Sequence, residues 1–147
     1  MNPDLHFEMH DHIAVVRLNR PTKRNALNDA LIASLREVFE NLPDHARAAV
    51  LHGSGDHFCA GLDLSELQSR DAGQGMHHSR MWHRAFEQIQ FGTVPVVAAL
   101  QGAVVGGGLE LAASAISEWQ TTPRFTHYQK AHAAYLSAAA VRYAFRN

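Results

Sequence analysis

The chain of 147 residues has one cysteine, Cys59. No internal disulfide can form, and a lone thiol fits a reducing compartment. Charge of one sign is also missing. Thirteen Lys and Arg against fourteen Asp and Glu leave a net charge of −1 with the histidines neutral. No basic field invites nucleic acid, and no polybasic run invites a membrane surface. The longest apolar run, residues 94–100, is far shorter than the ~20 residues a spanning helix needs. Residues 1–6 lack the charged-then-apolar pattern of a signal peptide. These absences lead us to expect a cytoplasmic protein whose partner is neither nucleic acid nor membrane. Metal chemistry is not expected either. His77, His78 and His83 lack the i, i+4 spacing of a helical metal pair, and with His10 and His12 they read as surface histidines.

What is present suits one soluble domain: 46% of the residues are apolar, an ordinary share. Residues 13–18, Ile-Ala-Val-Val-Arg-Leu, read as a strand, with a shorter one before it and a turn at His10-Asp11-His12. A polar loop spans 19–25. Leu31, Leu35, Val38, Phe39 and Leu42 then recur at helical spacing, with Asn28 placed as N-cap and Pro43 beyond the end. Residues 48–52 read as a buried strand closed by Gly53-Ser54-Gly55-Asp56. A short helical stretch at 64–68 precedes a polar, Gly-containing loop at 69–75, which has the look of a lid or insertion. Trp82, Ala85, Phe86 and Ile89 mark one face of a second long helix. Residues 94–100 form a buried strand with a proline near its start, a tolerated place. A last helix is expected over about 108–115.

Two backbone signatures carry the chemistry: Phe58-Cys59-Ala60-Gly61-Leu62-Asp63-Leu64 and Gly106-Gly107-Gly108-Leu109-Glu110. Each puts small residues where a strand gives way to a helix, leaving main-chain N–H groups bare. Two such donors aimed at one point can hold the negative charge that develops on a carbonyl oxygen, worth ~3–4 kcal/mol per donor. Gly107 stands at a helix N-terminus, where the dipole favours an anion, and Glu110 follows as an acid/base candidate. Taken singly, each feature has a plainer reading. A glycine triplet is often only a tight turn, and a Glu in a first turn often only complements the dipole. Lys23 and Arg24 read singly as solvated loop charges. Cys59 reads as a small buried residue and not a nucleophile, because no histidine partner can be assigned to it.

In series, Asn19-Arg20-Pro21, Lys23-Arg24-Asn25-Ala26-Leu27-Asn28 and the two signatures resemble the crotonase superfamily, the enoyl-CoA hydratase/isomerase proteins. The likeness runs from about residue 13 to 115. It implies an α/β fold, a spiral of ββα units. It also implies that Leu62 and Gly107 supply the two oxyanion N–H groups and that Glu110 is the acid/base toward an acyl-CoA thioester. Lys23, Arg24, Ala26 and Leu27 would lie against the CoA moiety, with Ala60, Gly61, Asp63 and Leu64 lining the same cleft. The resemblance calls for no metal and no separate cofactor, since CoA arrives as part of the substrate. Full-length relatives are implied to be homotrimers or hexamers.

The family pattern stops at residue 115, so the fold is expected to be truncated after the oxyanion-hole helix. The chain then divides into 1–115, crotonase-like, and 116–147, an atypical tail with no strand-like alternation and a basic, apolar stretch at 131–145. The family's second acidic residue, often in a Pro-Glu step, has no match. Read one base out of register with permitted synonymous codons, residues 115–120 become Ala-His-Ile-Arg-Val-Ala. Residues 123–131 then end Phe-Tyr-Ala-Leu-Pro-Glu-Gly, and 137–141 become Gly-Gly-Gly-Gly-Ser. That ordered series supplies the missing strand, the Pro-Glu step at the slot holding Lys130, and a Gly-rich turn. The tail therefore reads as a frameshift product. Three functions follow: an enoyl-CoA hydratase/isomerase, an inactive remnant with little acyl-CoA binding, or another crotonase-type reaction such as thioester hydrolysis or dehalogenation. Sequencing the gene across codons 114–147 should reveal the alternative frame; a third base of Ile116 or Gln129 that forbids these codons ends the frameshift reading.

Overall fold

The computed structural model describes residues 2–66 and 71–119. Strands β1 (Leu5–His10) and β2 (Ile13–Leu18) form an antiparallel hairpin, with Leu5 opposite Leu18 and His10 opposite Ile13. Asp11 takes the left-handed turn conformation at φ 52°, which Asp tolerates better than most residues. Strand β3 (Ala48–Gly53) joins β2 in parallel, β4 (Val96–Leu100) joins β3, and β5 (Ile116–Trp119) joins β4. The sheet order is β1-β2-β3-β4-β5.

Period-two alternation decides which face is buried. Ala14, Val16 and Leu18 of β2, Ala49 and Leu51 of β3, and Val96, Ala98 and Leu100 of β4 are all buried. They share one core with Leu31, Ile32, Leu35 and Phe39 of helix α1 (Asp29–Glu40). Asn28 caps α1 as its sequence position suggests, accepting the Leu31 N–H at 2.9 Å. Helix α2 (Ala72–Phe91) adds Trp82, Ala85, Phe86 and Ile89 to the same core and packs on α1. Helix α3 (Gly107–Ala113) is short and leads into β5. The α/β class and the ββα order expected from the sequence are both present. Among the described residues no helix is long and apolar enough to cross a membrane.

Four expectations are corrected. The loop assigned to 69–75 is already helical from Ala72 onward; residues 67–70 lie outside the described part. Asp71 and Gln74 form a reciprocal capping box, with Gln74 N–H to Asp71 Oδ1 at 2.8 Å and Asp71 N–H to Gln74 Oε1 at 3.1 Å. That cap, worth ~1 kcal/mol, helps offset the cost of Gly73 and Gly75 in the opening turns. The strand assigned to 94–100 starts at Val96, since Pro95 lacks a donor and contributes only its carbonyl, which accepts from Ala49 N–H at 2.9 Å. Strand character does not stop at 115. Residues 116–119 pair in parallel with β4, Val97 opposite Ile116 and Leu100 opposite Trp119. Main-chain pairing to an existing strand asks for no side-chain alternation, so the pattern was blind to it. His78 is half-buried and not fully on the surface: 19% of its side chain is exposed, its ring lying tilted against Trp82 with centroids 5.4 Å apart. The basic stretch at 131–145 and the slot at Lys130 lie outside the described residues.

Candidate active site

Three loops, each leaving the same end of the sheet, meet over its edge. The first follows β2. Asn25 is fully buried there, with Arg24 and Asn25 both left-handed at φ 50° and 56°. The Asn25 amide accepts the Arg20 N–H at 2.9 Å and donates to the carbonyls of Ser54 at 2.9 Å and His57 at 2.7 Å. It thereby ties the first loop to the exit of β3. The second loop carries the first signature. Ala60 N–H donates to Arg24 O, Leu27 N–H to Gly61 O at 2.7 Å, and Asp63 N–H to Leu27 O at 2.8 Å. The third loop follows β4 and is stitched to the second by Phe58 N–H to Gln101 O, Cys59 N–H to Ala103 O and Val105 N–H to Cys59 O.

Two close approaches hold this stitching in register. Gly61 has φ +91°, and a Cβ there would meet Val105 O at 2.6 Å. A Cβ on Gly108 would meet Cys59 O at 2.5 Å and Cys59 Sγ at 2.9 Å. Cys59 is fully buried, and burial pushes its thiol up to about 11, which suits a packing residue and not a nucleophile.

The geometry of the two amides follows from this pairing. Leu27 bonds to residues 61 and 63, so the N–H of Leu62 points to the opposite edge, away from Leu27. Gly107 opens α3, where an N–H has no acceptor within the helix. Among the described residues neither N–H donates to any protein acceptor. The two lie close together: a Cβ on Gly107 would be 3.9 Å from Leu62 N, and a Cβ on Gly61 would be 3.4 Å from Gly107 N. Glu110 stands in the first turn of α3 with its N–H on Gly106 O at 3.1 Å. Its side chain is exposed, and among the described residues its carboxylate has no partner. Val105 and Leu109 beside it are exposed as well.

The other sequence-derived positions divide into two groups. Ala26, Leu27 and Gly61 are buried, Ala60 and Leu62 are half-buried, and Arg24 and Leu64 are exposed. Lys23 and Asp63 are turned toward each other. Asp63, only 5% exposed, takes Lys23 Nζ at 2.7 Å, Arg20 Nη2 at 2.9 Å and the Ser65 hydroxyl at 2.6 Å. The Lys23 ammonium and the Ser65 hydroxyl, helped by the Arg20 guanidinium, hold the Asp63 carboxyl well below the usual carboxylate range despite its burial. Arg20 also reaches Asp4 at 3.0 Å and Ala26 O at 2.7 Å. Arg20 and Asn25 organise the site, yet the sequence reading gave neither a role. Both stand in the motifs that carry the family resemblance, but a polar loop hides which of its residues are buried.

A five-stranded sheet with a ββα opening and two glycine-bearing loops crossing at a helix N-terminus defines an α/β protein of the crotonase type. The model for the enoyl-CoA hydratase/isomerase family matches residues 8–127, and the chain belongs to that family. A structure from Rhodopseudomonas palustris, described as a candidate enoyl-CoA hydratase, is 44% identical with a TM-score of 0.76. It aligns over 97% of this chain and 60% of its own. A Mycobacterium tuberculosis enoyl-CoA hydratase-like protein, EchA14, is 36% identical over 107 residues, 71% of this chain and 41% of its own length. The mouse mitochondrial Delta(3,5)-Delta(2,4)-dienoyl-CoA isomerase is 32% identical over 127 residues, 78% of this chain and 39% of its own. A Thermobifida fusca structure in complex with acetoacetyl-CoA shares the fold at 24% identity and TM-score 0.70, over 80% of this chain and 51% of its own. The chain spans about two-fifths of the length of the curated relatives it matches.

The Asp63 network makes an acid-dependence prediction. A depressed carboxyl pKa contributes stability that is present above the unfolded value of ~3.9 and is lost as pH falls below it. Asp63→Asn should cost ~1–3 kcal/mol at neutral pH, because a neutral amide cannot replace the carboxylate toward Lys23 and Arg20. The gap between the variant and the parent should narrow toward about pH 3, read by urea unfolding at both pH values. An equal gap at the two values would refute the network's contribution.

Proposed function

We propose that this chain binds the thioester carbonyl of an acyl-CoA between the N–H groups of Leu62 and Gly107. Glu110 then moves a proton at the acyl α- or β-carbon in the hydration or isomerisation of an enoyl-CoA. The observation that carries this reading is the pair of adjacent main-chain N–H groups that have no protein acceptor among the described residues. Donors held in place before the reaction stabilise a developing enolate oxygen without reorganising, at ~3–4 kcal/mol each. Gly107 adds the positive end of the α3 peptide dipoles. Among the described residues the carboxylate of Glu110 has no partner, and Glu110 lies in the first turn of α3. The small-molecule partner is the CoA thioester itself, and the chemistry asks for no further cofactor. The acetoacetyl-CoA seated in the Thermobifida fusca relative is in keeping with such a ligand.

The exposure of Glu110 favours a second reading, in which the chain binds acyl-CoA without turning it over. A base in open solvent lacks the dry surroundings that strengthen its action. Crotonyl-CoA hydration by the purified chain separates the two readings. With turnover present, Glu110→Gln should lower kcat by ~10²–10⁴-fold and leave the dissociation constant of the thioester within threefold of the parent, as read by calorimetry. Binding without turnover selects the second reading. No measurable binding would overturn both, and release of free CoA would point to thioester hydrolysis.

A further inference from the structure

Trp82 stands outside the two signatures, yet it is the side chain nearest the open face of Gly107. A Cβ placed on Gly107 would lie 3.0 Å from Trp82 Cζ3, 3.7 Å from Leu27 Cδ1 and 3.9 Å from Leu62 N. Carbon atoms at rest stay near 3.5–4.0 Å, so no carbon fits between that indole edge and the Gly107 backbone. The indole is also fixed from behind. Its Nε1–H donates to Asp29 Oδ1 at 3.1 Å, and His78 Nε2 lies 2.7 Å from the same oxygen. Asp29 is the first residue of α1, so the anchor belongs to a different helix from Trp82. His78 packs on the ring at a tilt of 42° with centroids 5.4 Å apart, and Phe86 meets it edge-on with centroids 6.2 Å apart. Trp82 is 8% exposed. A ring held at its pyrrole edge and packed on two others cannot swing aside to admit bulk at its benzo edge.

We propose that Trp82 is a specificity-determining wall beside the oxyanion donors, closing the space next to the thioester carbon and selecting acyl groups unbranched at the α-carbon. This rests on the placement of the thioester carbonyl between Leu62 and Gly107. The acyl chain must leave on the side away from the indole, and a methyl branch at the α-carbon meets the ring. One methyl group in a closed apolar site is worth ~10–200-fold in selectivity.

The test compares butyryl-CoA with 2-methylpropanoyl-CoA, which have the same composition and differ in where the carbon sits. Calorimetry on the full chain should show the unbranched ligand bound at least ~10-fold more tightly. Trp82→Phe withdraws the benzo edge, and the preference should fall below threefold. A merely structural role would weaken both ligands equally and keep the ratio. Failure of the parent to bind either thioester overturns the wall and the carbonyl placement together. Equal binding of both by the parent, or an unchanged ratio in Trp82→Phe, overturns the wall alone. Should Trp82→Phe fail to fold, Trp119→Phe leaves Trp82 as the sole tryptophan. Butyryl-CoA should then shift its emission, and an unmoved spectrum in the presence of calorimetric binding overturns the wall.

Discussion

The carboxylate of Asp63 sits at the junction on which the rest of the site depends. It is nearly buried, follows directly on Leu62, and is gripped by Arg20 and Lys23 from a loop some forty residues earlier. Because Arg20 also binds Asp4 and Ala26 O, the charges form a network anchored in the N-terminal hairpin and not an isolated pair. Burying such charges is expensive unless their geometry and hydrogen bonding are good. Here the carboxylate has the Ser65 hydroxyl and N–H as well as the two cations. The consequence for function is positional. Leu62 sits between Gly61 and Asp63, both bonded to Leu27, so its N–H has one direction to face.

Steric closeness does for the second amide what charge does for the first. The third loop lies so near the second that Gly61 and Gly108 leave no room for a Cβ on either side. Neutral backbone pairing between residues 59 and 103–105 then sets the height of Gly107 against Leu62. Neither loop could take this course alone, since each lends its neighbour the hydrogen-bond partners that a buried backbone requires. The site is thus a property of the crossing.

Much of this was legible in the chain. The core positions of α1 followed from helical spacing, its N-cap from Asn28, and the buried strands from β-branched runs. The two glycine signatures marked where backbone would be bare. Other features were hidden for identifiable reasons. Asn25 and Arg20 look like solvated loop residues because burial of a loop depends on what folds over it. Asp63 looks like a ligand-facing acid because nothing in its neighbours tells that cations forty residues away claim it. His78 lacks metal spacing and so reads as exposed, although an aromatic neighbour one turn on covers it. Residues 116–119 lack alternation, and the edge of β4 recruits them regardless.

The sequence by itself determined the family, the α/β order and the two places where main-chain N–H groups would be left bare. Small residues at strand ends and apolar periodicity are local facts, written in consecutive positions. Only the tertiary structure decided that the N–H groups of Leu62 and Gly107 lie side by side, that Asp63 is spent on Arg20 and Lys23, and that Trp82 stands against Gly107. Those are relations between segments distant along the chain. They are fixed by close packing and hydrogen-bond direction, which no local pattern encodes.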